Sequence, residues 1–258
     1  MSILPISIFI ITKNEEDRIA NIIKKAQQIT NDILVIDSGS SDKTVQLAEN
    51  LGAKVLFNKW QGYGQQKIFG ESKCKNKWIL NIDADEEITT ELANEIKEIF
   101  QSNKEKDFVG FKIKIVNKFF GEKKPKKLAY YYNQLRLYNS DYAGFKNSSI
   151  HDSVIVKEGV DGKISQLKNI IEHKSFKSVF HWIEKINFYS ELQAIDNFER
   201  KKYPSNFKIM VTIFIAFFKA YFIRRYFIYG FSGIYYSAIF SFSRFLKLAK
   251  IRERFNKL

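Results

Sequence analysis

The sequence predicts an α/β fold: a mixed, mainly parallel sheet flanked by helices, with a C-terminal helical extension rich in basic and aromatic residues. Three observations predict it. Apolar, β-branched runs alternate with amphipathic helical segments through the first hundred residues, and the polar clusters of that half fall directly after the apolar runs. From about residue 207 the apolar residues recur at helical spacing among lysines and arginines.

The first run, ISIFIIT at 6–12, has the continuous hydrophobicity of a strand buried on both faces. KNEEDRIANIIKKAQQI then predicts a helix with acids in its first turn, Ile19, Ile22 and Ile23 on one face, and Lys24 and Lys25 later, charges that match the helix dipole. A second strand at Ile33–Ile36 ends in a polar Gly/Ser turn, and the next helix has Asp42 as its expected N-cap and Gly52 at its end. Lys54–Phe57 is the third strand, a helix through Cys74 follows, and Trp78–Ile82 is the fourth. Beyond residue 100 the pattern loosens. Asp107–Val116 and YYYNQLRLY read as strands, Ser153–Val156 and Lys163–Leu167 as a hairpin around Gly159–Gly162, and Lys177–Phe198 as a helix. The longest nearly apolar run, Ile209–Phe218, is too short to span a bilayer, which needs about 20 residues.

Composition narrows the function classes. Of 258 residues, 45% are hydrophobic and 27% charged, which suits a globular protein and excludes a disordered one. A single cysteine, Cys74, excludes an intrachain disulfide framework and fits a reducing compartment. The N-terminus lacks a basic n-region and a small-residue cleavage site, and it is expected to be a strand rather than a signal peptide. The formal net charge of +14 is unevenly placed: residues 1–100 carry 12 basic against 15 acidic residues, whereas from Arg200 onward 13 basic residues face one acid, Glu253. A basic, aromatic tail is a candidate for a membrane surface or for nucleic acid.

The polar clusters Thr12–Glu16, Asp37–Asp42 and Asp83–Glu87 fall where an α/β sheet of this kind binds ligands, beyond the carboxyl ends of its strands. Asp83 and Asp85, two residues apart after a buried strand, suit a hard divalent cation and a substrate phosphate; the same acids also suit the charged first turn of a helix. Glu86 and Glu87 are assigned mainly to that helix start. Asp37 can accept hydrogen bonds from a base or ribose, while Asp42 caps a helix. Asp152, in His151-Asp152, is a candidate general base or a surface turn, and His173 a candidate third metal ligand or proton-network partner. No zinc spacing, P-loop, nucleophile elbow or G-x-G-x-x-G is present.

Together these stretches resemble family 2 glycosyltransferases of the GT-A fold. I-I-T-K-N-E-E resembles the first-strand motif, V-I-D-S-G-S-S-D-K-T the nucleotide motif and W-I-L-N-I-D-A-D-E the D-x-D strand, covering residues 6–90. F-N-K-W-Q-G-Y-G-Q-Q-K and I-H-D-S-V-I-V with I-I-E-H-K-S resemble the lipopolysaccharide core β-glucosyltransferase-like branch, which usually has V-H-E where this chain has Asp152, and Asn where it has Ile68. The resemblance implies a GT-A (Rossmann-like) catalytic domain over 1–176, with a nucleotide-binding half (1–100) and an acceptor half (101–176), and a membrane-associated helical region over 177–258. It implies Thr12, Asn14, Glu15, Asp37, Gly39, Lys67 and Asp83 around the nucleotide-sugar, and Asp83, Asp85 and His173 about Mg²⁺ or Mn²⁺. Asp152 is the implied base of an inverting displacement. The implied partners are a UDP-sugar, with glucose the branch's donor, a lipopolysaccharide-core or other lipid-linked acceptor, and an anionic membrane surface, with no nucleic acid. The implied location is the cytoplasm, peripheral on the inner face of the bacterial inner membrane. Two other readings fit less of the chain. A sugar-1-phosphate nucleotidyltransferase would need a Gly-rich basic N-terminal loop that T-K-N-E-E does not supply, and a non-enzymatic membrane- or nucleic-acid-binding protein leaves the three acidic clusters without a purpose.

Overall fold

Every residue of β1 (Ile6–Thr12) is buried, as its unbroken apolar run demands. The computed structural model describes residues 3–146 and 153–256. α1 (Ile19–Ala26) buries Ile19, Ile22, Ile23 and Ala26 on one face and keeps Lys24 and Lys25 in its last turn. It starts later than expected and has no acid in its first turn. Glu15 and Glu16 stay in the preceding loop, their backbone N–H groups donating to the Thr44 hydroxyl at the start of α2 and to the Asp42 carboxylate just before it. β2 (Ile33–Asp37), α2 (Thr44–Asn50), β3 (Lys54–Phe57), α3 (Tyr63–Ser72) and β4 (Trp78–Asp83) follow in the expected alternation. Asp42 precedes α2 and accepts the Thr44 N–H, so it satisfies an orphan donor of that helix one residue before its N-cap, Lys43.

Three elements differ from expectation. Glu86–Ile88 is a short strand, β5, and not a helix start; α4 (Thr90–Gln101) begins two residues after it, with the Thr89 hydroxyl accepting the Leu92 N–H as its cap. After β6 (Gly110–Asn117) and β7 (Tyr131–Asn139), the segments expected to form a hairpin go separate ways. β9 (Val154–Val156) pairs antiparallel with β8 (Ala143–Phe145), while β10 (Ile164–His173) runs past Leu167 and pairs antiparallel with β5. Glycines near a turn signal reversal, but which neighbour a strand finds is settled by burial, and β10 buries Leu167 and Ile171 in the main core.

The main sheet has the order β3-β2-β1-β4-β7-β6-β10-β5. β3, β2, β1 and β4 are parallel neighbours; β4 with β7, and β7 with β6, are antiparallel. Alternate side chains of the central strands feed two cores, one on each face. Ile8, Ile10, Val35 and Leu80 pack with α1 and α4, while Phe9, Ile11, Leu34 and Ile36 face α3. Gly70 lets α3 approach: a Cβ there would lie 2.6 Å from the Phe9 ring and 3.1 Å from Ile36.

The chain divides into two compact units, residues 1–116 with 131–174 and residues 117–130 with 175–258. The segment Asn117–Tyr130, expected in the sheet domain, belongs to the helical unit because Phe119 stacks on Tyr236 at 4.0 Å and packs against Trp182 and Tyr226. That unit consists mainly of α5 (Val179–Glu199), α6 (Asn206–Phe218) and α7 (Phe231–Asn256). α6 continues through a π turn at Lys219–Ile223, so the apolar helical stretch is longer than Ile209–Phe218. Asn206–Ile223 spans 18 residues at mean hydropathy 1.6 with 11% of it buried, enough to cross a membrane by length and composition alone.

Candidate active site

The register places three expected site residues in a row. Thr12 pairs with Asp37 and Ile11 with Asp83, so the carboxyl ends of β2, β1 and β4 carry Asp37, Thr12 and Asp83 side by side. Asp37 and Asp83 stand two strand spacings apart, roughly 10 Å. Between them the Thr12 hydroxyl is shut off from bulk water and finds no partner among the described residues.

The loops after β1 and β2 are stapled together. Asn14, at a left-handed φ of 54°, accepts the Ser41 N–H at 2.8 Å, and its own N–H donates to the Ser40 hydroxyl. The Glu16 carboxylate accepts the Lys43 N–H, and Ser38 donates twice to the Thr12 carbonyl. Asp37 folds its own turn: Oδ2 accepts the N–H groups of Gly39 and Ser40 at 2.8 and 3.0 Å, and Oδ1 accepts the Ser40 hydroxyl. Gly39 makes this turn at φ 97°, where a side chain would be strained. An ionised carboxylate has about four acceptor positions, so Asp37 keeps capacity for a ligand. Glu15 lies beside Arg18 in the same loop.

Asp83 rests on a cationic floor. Lys67, fully buried on α3, brings its ammonium to 3.0 Å from Asp83 Oδ1, and Arg136 on β7 reaches Oδ2 at 3.4 Å. Burial opposes ionisation of Asp83, but Lys67 first and Arg136 next more than offset it and hold the carboxyl below its usual range. Arg136 also donates to Glu86 Oε1 and to Asn81 Oδ1, each at 2.6 Å, while Glu86 Oε2 accepts the Asp83 N–H at 2.9 Å. Glu86 is fully enclosed; burial, resisted by Arg136 and reinforced by Asp83, pushes its carboxyl up to about 6. Because Lys67 is enclosed, it acts on Asp83 from below.

Pairing of β10 with β5 sets His173 opposite Glu86, and the Lys174 N–H donates to the Asp85 carbonyl. His173 Nε2 thereby comes to 3.4 Å from Asp85 Oδ1, with Tyr132 OH 3.1 Å from its Nδ1. Burial works against protonation of the imidazole, yet Asp85, helped by Glu86 and Asp83, raises its pKa. Asp85 and His173 offer a carboxylate oxygen and an imidazole nitrogen on one side of the cluster, a donor pair that fits Mn²⁺, and Mg²⁺ less well. Asp83 fits a metal poorly, since its oxygens are engaged by two cations. Among the described residues no three His, Cys, Asp or Glu side chains form a metal cage, so substrate phosphates and water have to complete any such site. His151 and Asp152 lie outside the described residues. Ser153 helps line a cavity of about 320 Å³ whose wall includes Arg136, Asn133 and Phe145.

Asn81, Tyr132 and Arg136 were not among the sequence-predicted site residues, and Glu86 was assigned to a helix. The signal for Arg136 is the lone cation inside the apolar strand pattern Q-L-R-L-Y: on a strand buried on both faces, such a charge requires a buried partner.

The glycosyl transferase family 2 model matches residues 7–157. An uncharacterised glycosyltransferase of Rickettsia typhi is 46% identical over 253 residues, covering 96% of this chain and 87% of that protein. The lipopolysaccharide core biosynthesis glycosyltransferase LpsC of Rhizobium meliloti is 27% identical, covering 97% and 93%. Among solved structures, S. aureus TarS 1-349 aligns over 98% of this chain and 92% of its own at 13% identity and a TM-score of 0.47. With a family model over more than half of its length and a relative nearly half identical along almost all of it, the chain belongs to glycosyl transferase family 2, a family of transferase enzymes.

Proposed function

We propose that this enzyme moves a hexose, with glucose the first donor to test, from a UDP-sugar to a lipopolysaccharide-core or other lipid-anchored acceptor, with inversion and with help from Mn²⁺ or Mg²⁺. The observation that carries the reading is the Lys67–Asp83–Arg136 floor beside the Asp85–His173 pair, at the carboxyl ends of strands whose neighbouring turns present Thr12 and Asp37. Thr12 and Asp37 hold the uridine, and Asn14, Glu15 and Gly39 shape the turns around it. Lys67 orients Asp83 toward the ribose. Asp85 and His173 would hold a divalent cation, which when bound would supply charge neutralisation for the diphosphate leaving group. Asp152 takes the proton of the acceptor hydroxyl, whose oxygen forms a bond to the anomeric carbon as the bond to the diphosphate breaks and its electron pair leaves with UDP. One displacement inverts the configuration. The likeness to a protein named for lipopolysaccharide core biosynthesis supports the acceptor class.

The enzyme works from the cytoplasmic face of the bacterial inner membrane. The helical unit rests on the anionic surface, with its exposed apolar residues in the interface and its basic residues at the headgroups. The test is UDP release from a panel of UDP-sugars with a lipid-linked core acceptor and Mn²⁺ or Mg²⁺. Turnover of a UDP-hexose that is lost in Asp152→Asn supports the reading; full transfer by that variant, or no turnover of any UDP-sugar, overturns it.

A further inference from the structure

The helical unit contains a row of cations for which the transfer chemistry has no use. Arg224 follows the π turn after α6, Arg244 and Lys247 lie three residues apart on α7, and Lys208 is in the first turn of α6. The Arg224 guanidinium carbon lies 4.3 Å from the centre of the Phe240 ring and 4.8 Å from that of Tyr130; the Arg244 carbon lies 4.9 Å from the same Phe240 ring. Tyr226 provides Arg224 with a neutral hydrogen-bond partner, but among the described residues none of these four cations has a carboxylate partner. The Nε atoms of Arg224 and Arg225 are shut off from water and meet no acceptor among the described residues.

Gathering like charges at half-buried positions is unfavourable without a counter-ion. The strain registers on the groups themselves. Burial first, and then Arg224, lower the proton affinity of Arg244; burial, Arg244 and Lys208 do the same to Lys247. The apolar side chains of α6 are meanwhile left to solvent, with Met210 61%, Phe214 63%, Ile215 63% and Phe218 58% exposed. A molecule that answers both features carries an anion and a hydrocarbon chain together.

We propose that Arg224, Arg244 and Lys247 form a site for the phosphate of a membrane lipid whose acyl chains lie along α6. This deepens the membrane-surface reading and rests on it. Nucleic acid fits less well, because stacking needs open aromatic faces, whereas Phe240 is buried and already covered by two guanidinium groups.

The experiment is co-sedimentation of the full chain with phosphatidylcholine vesicles and with vesicles containing phosphatidylglycerol. It compares wild type, Arg244→Gln/Lys247→Gln, and a charge-matched control, Lys123→Gln/Lys124→Gln, at exposed positions of the same unit. At about 1 kcal/mol for each basic residue near an anionic surface, the site variant binds phosphatidylglycerol vesicles roughly 30-fold more weakly, and the control changes less than about 3-fold. Thermal melts verify folding, and if Arg244→Gln disrupts it, Lys247→Gln alone takes its place, with a loss of about 5-fold expected against no change in Lys123→Gln. Equal losses in site variant and control mean diffuse attraction and overturn the site while leaving membrane association intact. Wild type that sediments equally with both vesicles overturns the anionic-surface reading and the site together. Loss of RNA binding with vesicle binding unchanged assigns the cations to nucleic acid and overturns the lipid.

Discussion

The Arg136 guanidinium on β7 donates to the Glu86 carboxylate on β5 over 2.6 Å, with 4% and 1% of the two side chains exposed. These strands are not paired in the sheet; Glu86 meets Arg136 because it follows the end of β4, at Asp83, by three residues, and β4 is the neighbour of β7. Deleting one partner strands the other charge in the interior. Arg136→Met is expected to lower unfolding free energy by about 3–5 kcal/mol in urea titrations. A loss below about 1 kcal/mol would show that the pair is dispensable.

Glu86 gives the fold a distinctive pH dependence. Its folded pKa, about 6, lies above the ordinary 4.5, so the native state holds this proton after the unfolded chain has released it. Between these values stability falls as pH rises, by about 2 kcal/mol over the window. Asp83 acts with the opposite sign, because its depressed pKa contributes stability above the ordinary 3.8 that is lost on acidification through the folded value. Unfolding midpoints of wild type and Glu86→Gln, compared from pH 4.5 to 7, should diverge in slope, the variant lacking the decline. Parallel curves would refute the assignment.

His173 and Asp85 predict a particular metal response. His173→Ala should raise the Mn²⁺ concentration for half-maximal transfer by about 10–100-fold, and weaken Mn²⁺ binding measured calorimetrically with UDP present. Tyr132→Phe, which leaves the imidazole without its hydroxyl contact, should produce a smaller shift in the same direction. An unchanged metal requirement in His173→Ala would exclude the imidazole as a ligand.

Cys74 should be inert. Burial, then Asp32 and Glu71, push its thiol up to about 12, so roughly one molecule in ten thousand carries the thiolate at pH 8. Alkylation by N-ethylmaleimide, followed by mass spectrometry, should run at least about 100-fold slower than for a small thiol and recover in denaturant. Rapid labelling of the folded chain would contradict the burial.

The parallel half of the sheet, and the turns carrying Thr12, Asp37 and Asp83, were legible in the sequence. Hydrophobic period, β-branched runs and the residues that end them are local properties, and parallel strands bring their carboxyl ends together. Asp85 was named from its spacing to Asp83. What spacing cannot convey is the partner. The sequence assigned Glu86 to a helix because acids suit first turns, whereas pairing of Glu86 with His173 across β5 and β10 makes it the buried acid of the cluster. Arg136 lies 50 residues further along the chain, and only the order of β4, β7 and β6 brings it beneath Asp83. The helical unit divides the same way. Its basic and aromatic composition announced itself in the sequence, yet the placement of Phe119 with α5 and α7, and of two arginines on one phenylalanine ring, follows from side chains meeting across separate segments. Local pattern determined which strands form and where their polar ends lie; long-range burial decided which charges share a site, because a buried charge is tolerated only where the folded chain supplies its counterpart.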